Sequence, residues 1–521
     1  MKNFLPSKWM GGCLLIFLAS AMVFRFFDDI LNDPAMANVI VKVALILSFI
    51  LYLVWFLVGS NFSKKIKGSI FVIVVGLMGV FLVRYEIIGW DGNMNPVLVE
   101  RGLVHENGPD SLKPLWKKVS TIEFTESFTQ FMGDVGRSGI RKGPELQTDW
   151  KAFPPKEKWR RKIGEGLGGF VIEGDHAIIM EQRGGEEFIV SYDRSTGQPR
   201  WFHRENVRHE SVLGGVGPRS TASISEGHVY VIGGTGLLTC LNLNNGKIIW
   251  QKNLLKEIGS DLNLEAKNVP WGRSGSVLIL NDLLIVPGGG ANGKYHSLLA
   301  FHKKNGELVW AKGDSQISYA SPQKLTLLGV EQIVIVNEAT VTSHAIETGN
   351  VLWEVALYGK SSSNANSSQV CKISDHELIL SKAYNTGARL ITLSKNEDKW
   401  QVEVTWKNRR SLRTKFSSSI LMDDFKVVGL NERDLQAIDA ITGKEIWEGK
   451  RYGYGQILRY NDKLFVLTET GELALVDLTQ GKELAKLKVL KGKTWCSIAL
   501  AGNNLYVRNN TEAVCYELKL K

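Results

Sequence analysis

Two patterns of apolar and polar positions divide the chain. Up to about Trp90 the apolar residues come in unbroken runs, Gly11–Phe24, Val39–Gly59 and Ser69–Val83. Beyond Trp159 they alternate with polar residues over short stretches, and Gly or Asn closes each stretch. Residues 220–253 show the second pattern: STASISEG, HVYVIGG, GLLTCLNL and KIIWQKN read as four consecutive strands. Period-two alternation with turn residues between runs predicts antiparallel β-structure.

The four-strand unit recurs, and its last turn carries a signature. IDAITGKEIWEG (438–449) has counterparts in YDRSTGQPRW, LNLNNGKIIW, FHKKNGELVW, AIETGNVLW and VDLTQGKELA. The turn glycines are Gly197, Gly246, Gly306, Gly349, Gly443 and Gly481, separated by 49, 60, 43, 94 and 38 residues. The gap of 94 is two periods of 47, and LSKNEDKWQVEVTW (393–406) fills it as a degenerate fifth member. Asp439 is placed to accept amide hydrogens of the turn after its strand. Gly443 supplies the positive φ of a tight hairpin. Trp447 follows on the outgoing strand, as Trp201, Trp250, Trp310 and Trp353 do in their repeats. A large indole there packs between neighbouring sheets. One small sheet cannot bury both faces, whereas a closed ring of sheets can.

Counting gives an all-β, eight-bladed β-propeller of four-stranded antiparallel blades. After the seventh turn, residues 494–521 supply only three strands. The fourth is available upstream in KWRRKIGEG (158–166), with Trp159 in the Trp position, so the two termini would share blade eight. Seven blades is the alternative if the degenerate fifth repeat is an insertion. The domain reading is 1–90 anchor, 91–157 linker and lead-in, and 158–521 propeller.

The three apolar runs predict an α-helical transmembrane anchor of three helices. Val39–Gly59 is long enough to cross a hydrocarbon core, which needs about 20 residues. Arg25 and Arg84 extend the two shorter runs by snorkelling. The first run has a second reading as a signal peptide, with Lys2 and Lys8 before it and Ala19-Ser20-Ala21 after its apolar core. Cys13 precedes its run and so lacks the lipoprotein arrangement. The loop at 28–38 carries three acids and no base, and the loop at 61–68 carries three lysines and no acid. The positive-inside rule puts the lysine loop in the cytoplasm and everything after Trp90 outside, in a bacterium the periplasm.

Composition narrows the function classes. The chain of 521 residues carries a net charge of +10, with 44% hydrophobic residues and 52 glycines. No compact Lys/Arg run occurs, which argues against nucleic acid as a partner. The five cysteines, Cys13, Cys240, Cys371, Cys496 and Cys515, contain no adjacent pair and no haem-attachment motif. Cys496 and Cys515 could meet within blade eight, as a disulfide or as buried thiols. His203 and His209 lack supporting ligands, Asp423-Asp424 reads as a turn, and GGGANGK (288–294) reads as a hairpin loop rather than a phosphate loop. No metal site and no catalytic residue is assigned.

The D-x-x-T-G-x-x-x-W repeat resembles the PQQ-like β-propeller repeat, named after pyrroloquinoline quinone (PQQ). The resemblance covers about residues 150–521. The lead-in FMGDVGRSGIRKGPELQTDWKAFPPKEKWRRKIGEG (131–166), with EQRGGEE, GGVGPRSTAS and GTGLLTCLN, is similar to membrane-anchored bacterial members of that class. Two kinds of relative bound what it implies. Quinoprotein alcohol dehydrogenases bind PQQ and calcium on the propeller axis, and typically carry an adjacent cysteine pair. The propeller lipoprotein of the outer-membrane β-barrel assembly machine is a scaffold without quinone. This chain lacks the cysteine pair and a dense carboxylate cluster, so the resemblance implies a non-catalytic binding or assembly module at the inner membrane, facing the periplasm. A PQQ-dependent dehydrogenase is the alternative, and a sensor lacks any signalling domain.

One constellation suggests where a partner would bind. Connections between successive blades all open on one face. Several carry a base just before the innermost strand: Arg219, Arg273, Lys415, Arg451 and Lys493. Trp271, Tyr319, Phe416, Tyr452 and Trp495 lie in the same connections. Either this is a solvated loop face, or it is a basic, aromatic-rimmed mouth for an anionic ligand or a periplasmic protein.

Overall fold

The computed structural model describes residues 34–92, 94–101, 127–133, 136–212, 214–291, 293–397, 399–423 and 425–521. The first apolar run with Lys2, Lys8 and Cys13 lies outside them, as does Asp424. The chain divides into two compact units, one holding the apolar helices and one holding the sheets.

The N-terminal unit contains the helix Pro34–Gly59 and the helix Lys64–Arg84. Both are long and apolar enough to cross a membrane. Leu45, Ile46, Phe49, Val72, Leu77 and Val80 are exposed along them, a surface that water disfavours. The lysine loop is shorter than its composition suggests. The Ser63 side chain accepts the Ile66 amide and caps the second helix, so Lys64, Lys65 and Lys67 form its opening turns. Tyr85–Trp90 and Pro96–Glu100 then pair as an antiparallel hairpin.

In the second unit, the described residues form eight larger antiparallel sheets. In chain order, sheets 1 to 7 span 171–205, 223–253, 278–312, 323–356, 371–408, 420–451 and 456–488. Sheet 8 takes Ala499–Ala501, Asn504–Arg508 and Glu512–Glu517, and its outer strand is Lys156–Lys162. Cys515 pairs with Trp159 across that seam, and Arg160 Nη1 reaches Glu512 Oε2 at 2.6 Å. The first strands of sheets 8 and 1, 1 and 2, 2 and 3, 3 and 4, and 5 and 6 approach one another, so first strands are innermost.

The signature turn explains how adjacent sheets lock. Each Gly takes a φ of +66° to +69° at 197, 246, 306, 349, 443 and 481. A Cβ on any of them would stand at or inside 3.0 Å of the indole of the preceding sheet: Trp159, Trp201, Trp250, Trp310, Trp406 and Trp447 in turn. Five of those indoles also donate Nε1–H to a carbonyl in the same turn, for example Trp201 to Leu243 O at 2.7 Å and Trp250 to Lys303 O at 2.9 Å. Glycine is therefore needed twice, for its φ and for its missing side chain. Trp353 differs, donating to Gln332 Oε1 of its own sheet at 2.7 Å. The next sheet has no Gly for it: its last hairpin joins Gly387–Asn396 to Lys399–Asn408, with Glu397 at φ +52°. Asp439 Oδ1 accepts the Thr442 amide and hydroxyl at 2.7 and 2.8 Å.

Residues 127–133 and 136–141 of the lead-in lie against the inner strands. Phe128 bridges Ile172 of sheet 1, and Thr129 O accepts the Ile224 amide of sheet 2. Met132 packs with Ile420 and Met422 of sheet 6. Ile140–Arg141 pairs in parallel with Arg459–Tyr460, the first strand of sheet 7. Leu146 then bridges Leu520 at the far end of the chain.

Candidate functional site

Just before the inner strands, one position recurs around the ring and ties neighbouring sheets together. The Gly169 amide donates to Thr221 Oγ1, the Thr221 amide to Ser276 Oγ, the Ser276 amide to Ser321 Oγ, and the Gln369 amide to Ser418 Oγ, at 2.9–3.1 Å. Gln456 Nε2 spans the carbonyls of Phe416 and Trp495 at 2.8 and 3.0 Å. These amides lie just outside the strand ladders, and side-chain hydroxyls of the neighbouring connection satisfy them. Two residues earlier in each connection stand Arg219, Ser274, Tyr319, Ser367, Phe416, Tyr454 and Trp495. That is the mouth on the side of the sheet-to-sheet connections.

The side chains there form two groups. In the first, Trp271 stacks on Tyr319 at 5.1 Å and 18°. Tyr319 Oη donates to Ser361 O at 2.8 Å and accepts the Trp271 amide at 3.2 Å. Burial raises this hydroxyl's pKa, and Arg219 works in the opposite direction. The Arg219 guanidinium, whose pKa burial lowers to about 10, donates to Gly217 O and Ser211 Oγ. His209 lies beside it. Burial and then the Arg219 charge hold this imidazole near 4, so it is neutral at pH 7. Arg273 is 2% exposed; it donates to Pro287 O and Gly288 O and stands 2.6 Å from Glu265 Oε1. Its charge serves the helical insertion Leu262–Asn268 that carries Glu265.

The second group joins sheets 5 to 8. Lys415 Nζ lies 5.1 Å from the Tyr384 ring, 4.9 Å from Tyr454 and 5.9 Å from Phe416. Phe416 lies 4.7 Å from Trp495 and 5.7 Å, edge-on, from Tyr454. Lys493 Nζ sits 4.2 Å above Trp495, whose Nε1 donates to Glu469 Oε1 at 3.0 Å. Ammonium groups over aromatic faces gain about 0.5–2 kcal/mol each. Four rings and two lysines thus form one wall.

Arg451 belongs to neither group. It pairs with Asp434 at 2.9 Å on its own sheet, with its side chain 62% exposed. Tyr452 turns into the core and donates to Glu483 Oε2 at 3.0 Å. The mouth aromatic of KRYGYG is Tyr454 instead, because Gly453 at φ +74° swings the chain between the two tyrosines. Tyr384, Glu469, Glu265 and His209 carry no repeat signature. Tyr384 sits in the turn between the second and third strands of sheet 5, and such turns share the mouth's face in an up-and-down blade.

The family profile described as "Outer membrane protein assembly factor BamB" matches residues 185–449. The chain belongs to that family. It is a PQQ-like β-propeller protein. The outer membrane protein assembly factor BamB of Shewanella oneidensis is 22% identical over 377 residues, covering 62% of this chain and 89% of its own. Among solved structures, a europium-containing methanol dehydrogenase has a TM-score of 0.53 at 10% identity, over 75% of this chain and 91% of its own. The quinohemoprotein alcohol dehydrogenase of Comamonas testosteroni has a TM-score of 0.52 at 11% identity, over 75% and 80%. At such identities the two dehydrogenases show the fold alone.

The residues present do not fit a quinone with calcium on the axis. The lead-in crosses that space, with Phe128 and Arg137 each 1% exposed within it. Among the described residues no three His, Cys, Asp or Glu gather at one point. The four described cysteines are free and buried, which pushes the thiols of Cys240, Cys371 and Cys515 up to about 12 and raises that of Cys496. Of the two readings of Cys496 and Cys515, the structure has buried thiols. Cys515 lies against Tyr506, and Cys496 reaches towards Gly166 O. His203 is taken by Glu205 at 2.7 Å, and residues 288–291 and 294 belong to paired strands.

Proposed function

We propose that this protein is a non-catalytic binding module for the assembly of outer-membrane proteins. It would be held at the inner membrane by its N-terminal helices, with an eight-bladed propeller in the periplasm. The eight larger sheets are read as its blades, 158–521 as the propeller, 91–157 as linker and lead-in, and 1–90 as the anchor. The observation that carries the binding role is the half-buried wall of Tyr384, Phe416 and Trp495 with Lys493, backed by the buried Lys415 and Tyr454. The half-buried rings offer a rigid, partly apolar surface, and the positive charge of Lys493, with Lys415 just beneath, favours an acidic partner segment. Membership of an assembly-factor family supports the same reading.

The test is genetic and biochemical. Deleting the gene should lower the amounts of folded outer-membrane proteins. Native protein should restore them, and a Lys415→Glu, Lys493→Glu double variant that is present at native levels should not. Unchanged outer-membrane proteins in the deletion strain, or full rescue by the double variant, would overturn the reading.

A further inference from the structure

An innermost strand is a sheet edge. Its outward backbone groups face the axis and must find partners there. In sheets 1, 2 and 7 the lead-in supplies them. Ile172 N donates to Phe128 O at 2.8 Å, Ile224 N to Thr129 O at 2.8 Å, and Arg459 N to Gly139 O at 2.8 Å.

Arg137 adds a pin. Its Nη1 donates to Ser276 O and Pro322 O, both at 3.0 Å, and its Nη2 to Val277 O and Ser223 Oγ. One guanidinium therefore engages residues at the head of three adjacent inner strands, those of sheets 2, 3 and 4. Five donors in a rigid fork suit this role. Carbonyl oxygens around the charge repay part of the cost of burying it, and the group keeps its proton at neutral pH with a pKa of about 9.

The fit leaves no slack. A Cβ on Gly139, at φ +70°, would stand 2.8 Å from Ile420 Cδ1 and from Met132 Cε. With Met132 against sheet 6 and Ile140–Arg141 on sheet 7, the segment touches inner strands on opposite sides of the ring. Only a segment lying across the axis can do that.

We infer that residues 128–133 and 136–141 are a built-in axial strut: they close the ring from within and hold the space along its axis against a small-molecule cofactor. This does not rest on the proposed binding role, because the strut and the aromatic wall share no residue.

The test uses the full chain in mild detergent. Hydrogen exchange followed by mass spectrometry should show peptides covering Ile172, Ile224 and Arg459 protected to the level of amides inside the sheets. Arg137→Ala should speed exchange at these peptides at least tenfold and leave Lys463–Leu467 unchanged. If that variant does not fold, Gly139→Ala, which forces the strut off Ile420, should give the same selective pattern. Fast exchange at the three sites in the native chain, or no selective change in the variant that folds, would overturn the strut. Calorimetric titration of the native chain with pyrroloquinoline quinone and calcium should give no heat of binding. Saturable one-to-one binding would overturn axial exclusion.

Discussion

At the scale of single residues, burial decides which groups respond to pH. Glu187 is 3% exposed and accepts the Gly234 amide at 3.2 Å, and burial pushes its carboxyl up to about 7. In the unfolded chain it would ionise near 4.5. The native state therefore keeps a proton that the unfolded state releases, and stability is lost as pH rises from 4.5 to about 7. Glu187→Gln should be near-neutral at pH 4.5 and stabilising by about 3 kcal/mol at pH 8, since each pKa unit is worth ~1.4 kcal/mol. Urea unfolding at the two pH values checks it. His176 and His344 act in the opposite range. Burial lowers both to about 4 from an ordinary 6.5, so stability falls as pH drops from 6.5 to 4.

Between elements, the tryptophan-to-glycine contact is the repeated joint. Gly306→Ala would place a Cβ 2.6 Å from Trp250 Cε3 at a φ of +69°. Overpacking and a left-handed alanine together should cost about 2–4 kcal/mol. Gly227→Ala is the matched control: its φ is +73° and nothing lies within 4 Å of the new methyl. It should cost only about 1 kcal/mol. Thermal melts of both variants decide whether conformation alone or the cross-sheet contact demands glycine. The spacing places the last hairpin of sheet 5, but the glycine signature lapses there for a physical reason. There Glu397 adopts the positive φ that glycine takes elsewhere, and no residue type marks that choice in advance.

For the whole molecule, the seam between the termini should limit stability. Trp159 meets Phe170 at 6.2 Å and Tyr506 at 6.1 Å, and its indole donates to Arg194 O at 3.0 Å. Trp159→Ala should cost about 3–5 kcal/mol, the range for emptying a buried aromatic site. Denaturant unfolding that matches native protein would show the seam to be dispensable. The proposed orientation has its own check. A reporter active only in the periplasm should give signal when fused after Trp90 and none when fused within Lys64–Lys67; the reverse pattern would sink the exported propeller.

The sequence by itself determined the local grammar of this protein: short alternating strands, Asp- and Gly-based turns, the indole on the outer strand and, of three expected apolar helices, the two that fall among the described residues. Each depends on neighbours a few residues away, so periodicity and turn chemistry suffice to read it. Only the tertiary structure decided which side chains meet across the ring. Arg273 and Arg451 share the sequence context of Lys415, yet Glu265 and Asp434 take them, and both acids lie eight or more residues away in the chain. Tyr384 reaches the same wall as Trp495 because closing the ring brings sheets 5 and 8 to one mouth. Arg137 reads as one base in a glycine-rich lead-in. Its burial against sheets 2, 3 and 4 exists only once the ring has formed around it.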